Sequence, residues 1–556
     1  MTARLAGVSE SSDDTLIDEI RAGYAFDGPA LTFGAAVADG TAHPDAVVRI
    51  PLSAMNRHGL VAGATGTGKT KTLQLMAEQL LAQGVPVFLA DVKGDLSGMA
   101  SPGTPNDRIT ARSQDVGLEW SPTAYPVEFY SLGGQGKGVP VRAAVSTFGP
   151  TLLAKVLGLN ATQESSLGLV FHYADKHGYY LDTIADLRAV VQHLTSSEGK
   201  ADLKELGGLS SATAGVILRE LIAFSDQGAD AFFGLPEFDT SHLLKTAEDG
   251  RGLCSMLELP AVQDRPQLFS TFLMWLLADL FHDLPEVGDA DRPKLVFFFD
   301  EAHLLFADAS KDFLAAISQT VRLIRSKGVG VFFVTQSPKD VPADVLGQLG
   351  NRVQHALRAF TPDDAAALKA AVKTYPHTAY DLEELLTTLG TGEAVVTVLS
   401  EKGAPTPVAW TRMRAPESLM APSPDAVVDA AVAASPLLGE YGQPVERDSA
   451  LEMLGRAADE RVAAEEAASA AEEKAKADAA AAKEAEKARA AADKAAAKER
   501  AAAEKAAASA ARRKAAEPGM VEQVVKSSAF RSALRSAGTV IGREITRSLF
   551  GTSRRR

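Results

Sequence analysis

Four apolar runs punctuate the chain, and each ends abruptly in polar residues. They are Leu60–Ala62, Val85–Ala90 (VPVFLA), Leu295–Phe299 within KLVFFFDEAH, and Val329–Val334 (VGVFFV). Runs that are apolar throughout, not alternating, fit strands covered on both faces, as in a parallel sheet. Helical spacing follows two of them: Lys71–Leu81 carries Leu73, Met76, Ala77 and Leu80, and Phe313–Ser326 precedes the last run. Strand and helix in alternation predict an α/β fold with a mainly parallel central sheet.

Residues 100–290 read as a long insertion, Pro/Gly-rich at first and then largely helical. Its helical candidates are Ser146–Leu157, Gln163–Lys176, Ile184–His193, Ala212–Ser225 and Gln263–His282, with a strand at Gly252–Leu259. Residues 1–50 form a weakly patterned N-terminal extension, with a helix at Leu16–Ala22 and a strand at Val47–Leu52. Asn351–Ala359 reads as a further strand, Thr361-Pro362-Asp363-Asp364 as a helix cap, and Glu393–Leu399 with Pro407–Met413 as a terminal hairpin. The core thus spans 51–420, and 421–455 is a Pro/Ala-rich connector. Residues 456–517 are a low-complexity Ala/Glu/Lys segment, helical or disordered, and 518–556 hold a basic amphipathic helix.

Composition narrows the picture. The chain has 556 residues and a formal net charge of −14. That charge is uneven: residues 1–455 carry −21, the Ala/Glu/Lys segment +1 and the last 39 residues +6. An acidic body of this kind does not bind nucleic acid by its outer surface, so any such contact is local: a pore, a groove or the tail. The basic stripe Arg531, Arg535, Arg543 and Arg547 suits an anionic membrane surface, nucleic acid, an acidic partner, or the protein's own acidic body. One cysteine, Cys254, excludes a disulfide framework and fits a reducing cytoplasm; it reads as a small buried hydrophobe. The N-terminus lacks the apolar core of a signal peptide, and no run reaches transmembrane length.

The chemistry sits where the apolar runs end. Gly63-Ala64-Thr65-Gly66-Thr67-Gly68-Lys69-Thr70 fits G-x-x-x-x-G-K-[ST] between a strand and a helix. The glycines let backbone N–H groups close around a polyphosphate, Lys69 reaches its β- and γ-phosphates, and the Thr70 hydroxyl can ligate Mg²⁺. The LVFFF strand ends in Asp300, suited to a Mg²⁺ shell, and Glu301, suited to orienting or deprotonating the attacking water. Gln336, at the end of VGVFFV, can contact the γ-phosphate or that water. ATP and Mg²⁺ are the ligands this set implies.

Taken in order, GATGTGKT, DVKGDLSG, FFFDEAHLLF, RLIRSKGVGVFFVTQSP and LGNRVQHALRAFTPDD resemble the HerA/FtsK superfamily of ring ATPases. They resemble most closely its bacterial YjgR-type HerA-like members, over residues 45–420. The resemblance implies a RecA-like core, a homo-hexameric ring, and ATP hydrolysis coupled to moving DNA or another polymer. It also implies interface roles for Arg325, before the Gln336 strand, and for Arg57, before the P-loop strand. Two departures stand out: about fifty residues precede the P-loop, too few for the N-terminal β-barrel of a HerA helicase, and the Ala/Glu/Lys tail lies outside the shared pattern. Three functions remain open on sequence: a DNA-translocating motor, an ATPase that remodels protein or a membrane-associated assembly, and a slow ATP-binding switch.

Overall fold

The computed structural model describes residues 6–200, 202, 208–288, 290–306 and 311–514. Its centre is a twelve-stranded sheet in the order β2-β1-β12-β11-β10-β3-β9-β8-β4-β7-β5-β6. The strands are β1 (Ala30–Ala38), β2 (Thr41–Pro51), β3 (Gly59–Ala62), β4 (Val87–Asp91), β5 (Val127–Leu132), β6 (Val139–Val141), β7 (Cys254–Glu258), β8 (Leu295–Phe299), β9 (Val329–Thr335), β10 (Asn351–Gln354), β11 (Glu393–Thr397) and β12 (Ala409–Met413). From β10 to β6 every pairing is parallel. The pairings from β10 out to β2 are antiparallel.

The apolar runs are the central strands, and their alternation divides the core. In β8, Leu295, Phe297 and Phe299 join one apolar cluster, while Val296 and Phe298 join the other. Successive side chains of a strand leave on opposite faces, so a strand covered on both sides must be apolar at every position. Helices α1 (Ala6–Gly23) and α2 (Lys69–Ala82) cover the second face. The helices Ala161–His177, Ile184–Thr195, Ser211–Asp226 and Pro266–Asp283 supply the first. These helical expectations are met within a few residues, except that α1 begins ten residues before the predicted Leu16 and the predicted Ser146–Leu157 divides at Gly149 into Val145–Phe148 and Pro150–Val156.

Four readings change. Residues 1–50 are more than an extension, since β1 and β2 add two strands to the sheet and Leu16, Ile17 and Ile20 of α1 join the second cluster. The stretch 100–290 is more than a helical insertion, because β5 and β6, neither of them expected, join the expected strand β7 in extending the parallel sheet from inside it. Cys254 opens β7 and is fully buried. The predicted strand Asn351–Ala359 stops at Gln354; the chain beyond leaves the ladder to wall the P-loop. The connector 421–455 is part of the globular body. Helix Asp425–Ala434 packs Val428, Ala431 and Val432 on the second apolar cluster. Tyr441 is buried, donating and accepting around His242 (3.2 Å) and the Asp239 N–H (3.3 Å). Arg447 pairs with Asp182 at 2.6 Å. The compact unit accordingly runs to Asp459.

The long helix Ala450–Lys514 occupies the low-complexity segment, and every side chain described from 460 to 512 is exposed. The basic helix read at 518–556 lies outside the described residues. No helix among the described residues is long and apolar enough to cross a membrane.

Candidate active site

The P-loop joins β3 to α2 at the C-terminal edge of the parallel strands. It is clamped on both sides: Gly63 N–H donates to Thr335 O at 3.2 Å, and Ala64 N–H to Ala356 O at 2.8 Å. Thr67 Oγ1 donates across the loop to Ala64 O at 2.7 Å, and Lys69 Nζ donates to the same oxygen at 3.2 Å. Gly68 has φ 114°, which an L side chain rarely adopts, and a Cβ at Gly63 would lie 2.5 Å from His355 Cβ. No side chain caps the first turn of α2. Its N–H groups, with Thr70 among them, are left for an anion. Burial lowers the Lys69 pKa, and the charges of Glu301 and Asp300 oppose that shift.

Those carboxylates follow β8, two strands from the P-loop strand. Asp300 is 2% exposed; one carboxylate oxygen accepts from the Glu301 N–H at 2.9 Å and the other, Oδ2, is buried with no partner. Burial, then the adjacent Glu301 charge, pushes its pKa up to about 7. Glu301 sits at φ 46°, a strained value for a residue with a side chain. Burial acts to raise its pKa, but the hydrogen bond and charge of Lys93 outweigh that and hold it below the usual carboxylate range. Gln336, just past β9, adds a smaller lowering contribution. His303 Nδ1 lies 3.2 Å from Glu301 Oε2 without the alignment of a hydrogen bond. Beside the P-loop opens a cleft of about 530 Å³ lined by Ala64, Thr65, His303, Gln336, Lys339 and Arg358.

Lys69, Asp300, Glu301 and Gln336, distant in sequence, therefore meet at one edge. Arg57 and Arg325 do not join them. Arg57 ends the turn Leu52–Arg57 that leads into β3, and Arg325 begins the turn that leads into β9. Both lie at the opposite, N-terminal edge, a strand length of roughly 13 Å or more from the P-loop of the same chain. Between them His58 is fully buried, its Nδ1 accepting the Val331 N–H at 3.0 Å. Burial chiefly, with the Arg325 charge, lowers its pKa to about 4.

Sequence reading gave three residues here no individual role, although it set the first two in a polar run facing the ligand crevice. Lys93, on the loop after β4, pairs with Glu301. Asp91 pins that loop by accepting the N–H groups of Gly94 (2.7 Å), Leu96 (2.8 Å) and Lys93 (3.2 Å). His355 braces α2: its Nε2 accepts from Thr72 Oγ1 at 2.9 Å while Nδ1 donates to Glu393 O at 2.8 Å. The polar run DVKGD at a strand end was the signal for the first two.

Parallel strands, a strand–GATGTGKT–helix unit and paired carboxylates on a nearby strand define a RecA-like P-loop NTPase. The chain belongs to the helicase HerA-like C-terminal family, whose model matches residues 37–556. It is similar to the DNA double-strand break repair helicase HerA of Sulfurisphaera tokodaii, 21% identical over 360 residues, 63% of this chain and 64% of that protein. The helicase of the same name from Sulfolobus acidocaldarius is 20% identical, with the same coverage. The chain thus spans 64% of the length of these relatives. Among solved structures, the bacterial conjugative coupling protein TrwB in an unbound form gives a TM-score of 0.45 at 14% identity, covering 72% of this chain and 94% of that one. VirB4 of Thermoanaerobacter pseudethanolicus gives 0.44 at 14% identity, covering 70% and 97%.

Proposed function

We propose that this protein is an ATP-hydrolysing motor that assembles as a ring, a homo-hexamer by its family resemblance, and translocates on DNA. The observation that carries the reading is the placement of Lys69, Asp300, Glu301 and Gln336 at one edge of the sheet and Arg57 and Arg325 at the other. In this reading the N–H groups of Gly63–Thr70 and the Lys69 ammonium hold the phosphates. Thr70 and the unpartnered Asp300 Oδ2 suit Mg²⁺, a hard cation that takes oxygen ligands and would neutralise phosphate charge. Glu301 and Gln336 face the side where a γ-phosphate would end, placed to orient water. An arginine at the far edge cannot complete this set within its own chain, but it can in a head-to-tail neighbour.

DNA as the polymer is supported by the family and by its HerA relatives. The net charge of −21 over residues 1–455 confines such a contact to a pore, a groove or the basic tail. The test is the ATPase rate with and without double- and single-stranded DNA at low and moderate salt. Stimulation that weakens with salt is the expected result. A measurable rate indifferent to either DNA would turn the reading to an ATPase acting on protein or on a membrane-associated assembly.

A further inference from the structure

We infer that Lys93 is a positioning residue that withholds Glu301 in the resting protein, so that occupancy of the motor by its polymer controls hydrolysis through this one ion pair. The inference rests on the proposed role of Glu301 as the residue that orients water. Four observations support it. The Lys93 ammonium pairs with Glu301 Oε1, whereas the P-loop lysine does not: Lys69 Nζ donates to Ala64 O at 3.2 Å. The Glu301 side chain is only 6% exposed, so a cation on Oε1 displaces water from one of the two oxygens that could orient it. Lys93 is held in place by construction, its loop fastened by three backbone N–H bonds to the fully buried Asp91 and turned at Gly94, φ 75°. Its own side chain is nevertheless 48% exposed, open to a competing anion.

The two partners come from different strand ends, β4 for Lys93 and β8 for Glu301, which are neighbours in the sheet. A phosphate from a bound nucleic acid strand that draws Lys93 outward would free Oε1 without moving the P-loop. Glu301, already at a strained φ, then needs only a side-chain rotation to engage water. His303 does not duplicate the pairing: its Nδ1 lies 3.2 Å from Oε2 but unaligned.

The test compares wild type, Lys93→Met, Lys93→Arg, Glu301→Gln and the double variant Lys93→Met/Glu301→Gln as full-length proteins. Lys93→Met should raise the DNA-free ATPase rate about fivefold, the population shift that one partly exposed ion pair can hold. It should bring the DNA-stimulated to DNA-free ratio close to one, while ADP affinity stays within about twofold. Lys93→Arg, which keeps the charge, should stay near wild type. In the nucleotide-free protein, the Lys93→Met and Glu301→Gln effects on melting temperature should be non-additive, because both break the same pair. A DNA-free rate in Lys93→Met equal to or below wild type, with Glu301→Gln inactive, overturns the withholding role alone. Wild-type hydrolysis in Glu301→Gln overturns instead the site reading on which it rests.

Discussion

At the scale of single residues, charge and position divide the work between Lys69 and Glu301. Lys69→Ala should abolish nucleotide binding, because Lys69 is the buried cation bonded to the loop itself, its Nζ donating to Ala64 O at 3.2 Å. Glu301→Gln should bind nucleotide as wild type does and lose roughly 10²–10⁴ in hydrolysis, the usual contribution of a positioned base. Equal ATP affinity in Lys69→Ala and wild type, measured by calorimetry, would contradict the assignment. The buried histidines give a second prediction. His58 and His355 both have pKa values lowered from 6.5 to about 4, chiefly by burial, and both use a ring nitrogen as an acceptor that protonation would remove. Above pH 6.5 each is neutral folded or unfolded, so the contribution is complete. As pH falls from 6.5 towards 4 the unfolded chain takes up protons that the folded one refuses, and stability is lost, to about 3 kcal/mol per histidine. The melting temperature should therefore drop between pH 6.5 and 4.5, less so in His355→Gln; a flat profile would contradict the burial argument. The P-loop and the acids were legible because each is a contiguous string. Lys93 was not, because its role is made by a contact 208 residues away.

At the scale of elements, apolar runs foretold β3, β4, β8 and β9 well, since a strand buried on both faces leaves an unbroken signature. Segments that contribute only one face were harder to read. Helix Asp425–Ala434 is mostly alanine and valine after a proline-rich turn, so composition read as a connector. Its spacing, Val428 with Ala431 and Val432, carried the correct signal. Tyr441 is the clearest anchor of this region, with its ring centroid 5.6 Å from Phe238 and 5.7 Å from His242. Tyr441→Ala should cost about 3 kcal/mol, near the lower bound for deleting a large buried ring. A chain ending at 459 should melt as the full-length protein does, while one ending at 420 should melt several degrees lower. Identical melting of both truncations would return 421–455 to the status of a tether.

At the scale of the whole molecule, the sheet separates the phosphate site from the two arginines. Each strand has two ends, and residues before β3 and β9 stand a strand length away from residues after them in the same chain. The family resemblance suggested interface arginines from motif order alone; the topology supplies the physical reason such residues would serve a neighbour. An arginine supplied in trans typically contributes 10³–10⁵ in rate. The decisive measurement mixes two inactive proteins, Lys69→Ala, which keeps its arginines, and Arg325→Ala or Arg57→Ala, which keeps its P-loop site. After subunit exchange, shared catalysis predicts that ATPase activity partly returns, because some interfaces in mixed rings hold both an intact site and an intact arginine. Mixtures shown to contain mixed rings that stay as inactive as their parents, with either arginine variant, would contradict a site shared between subunits.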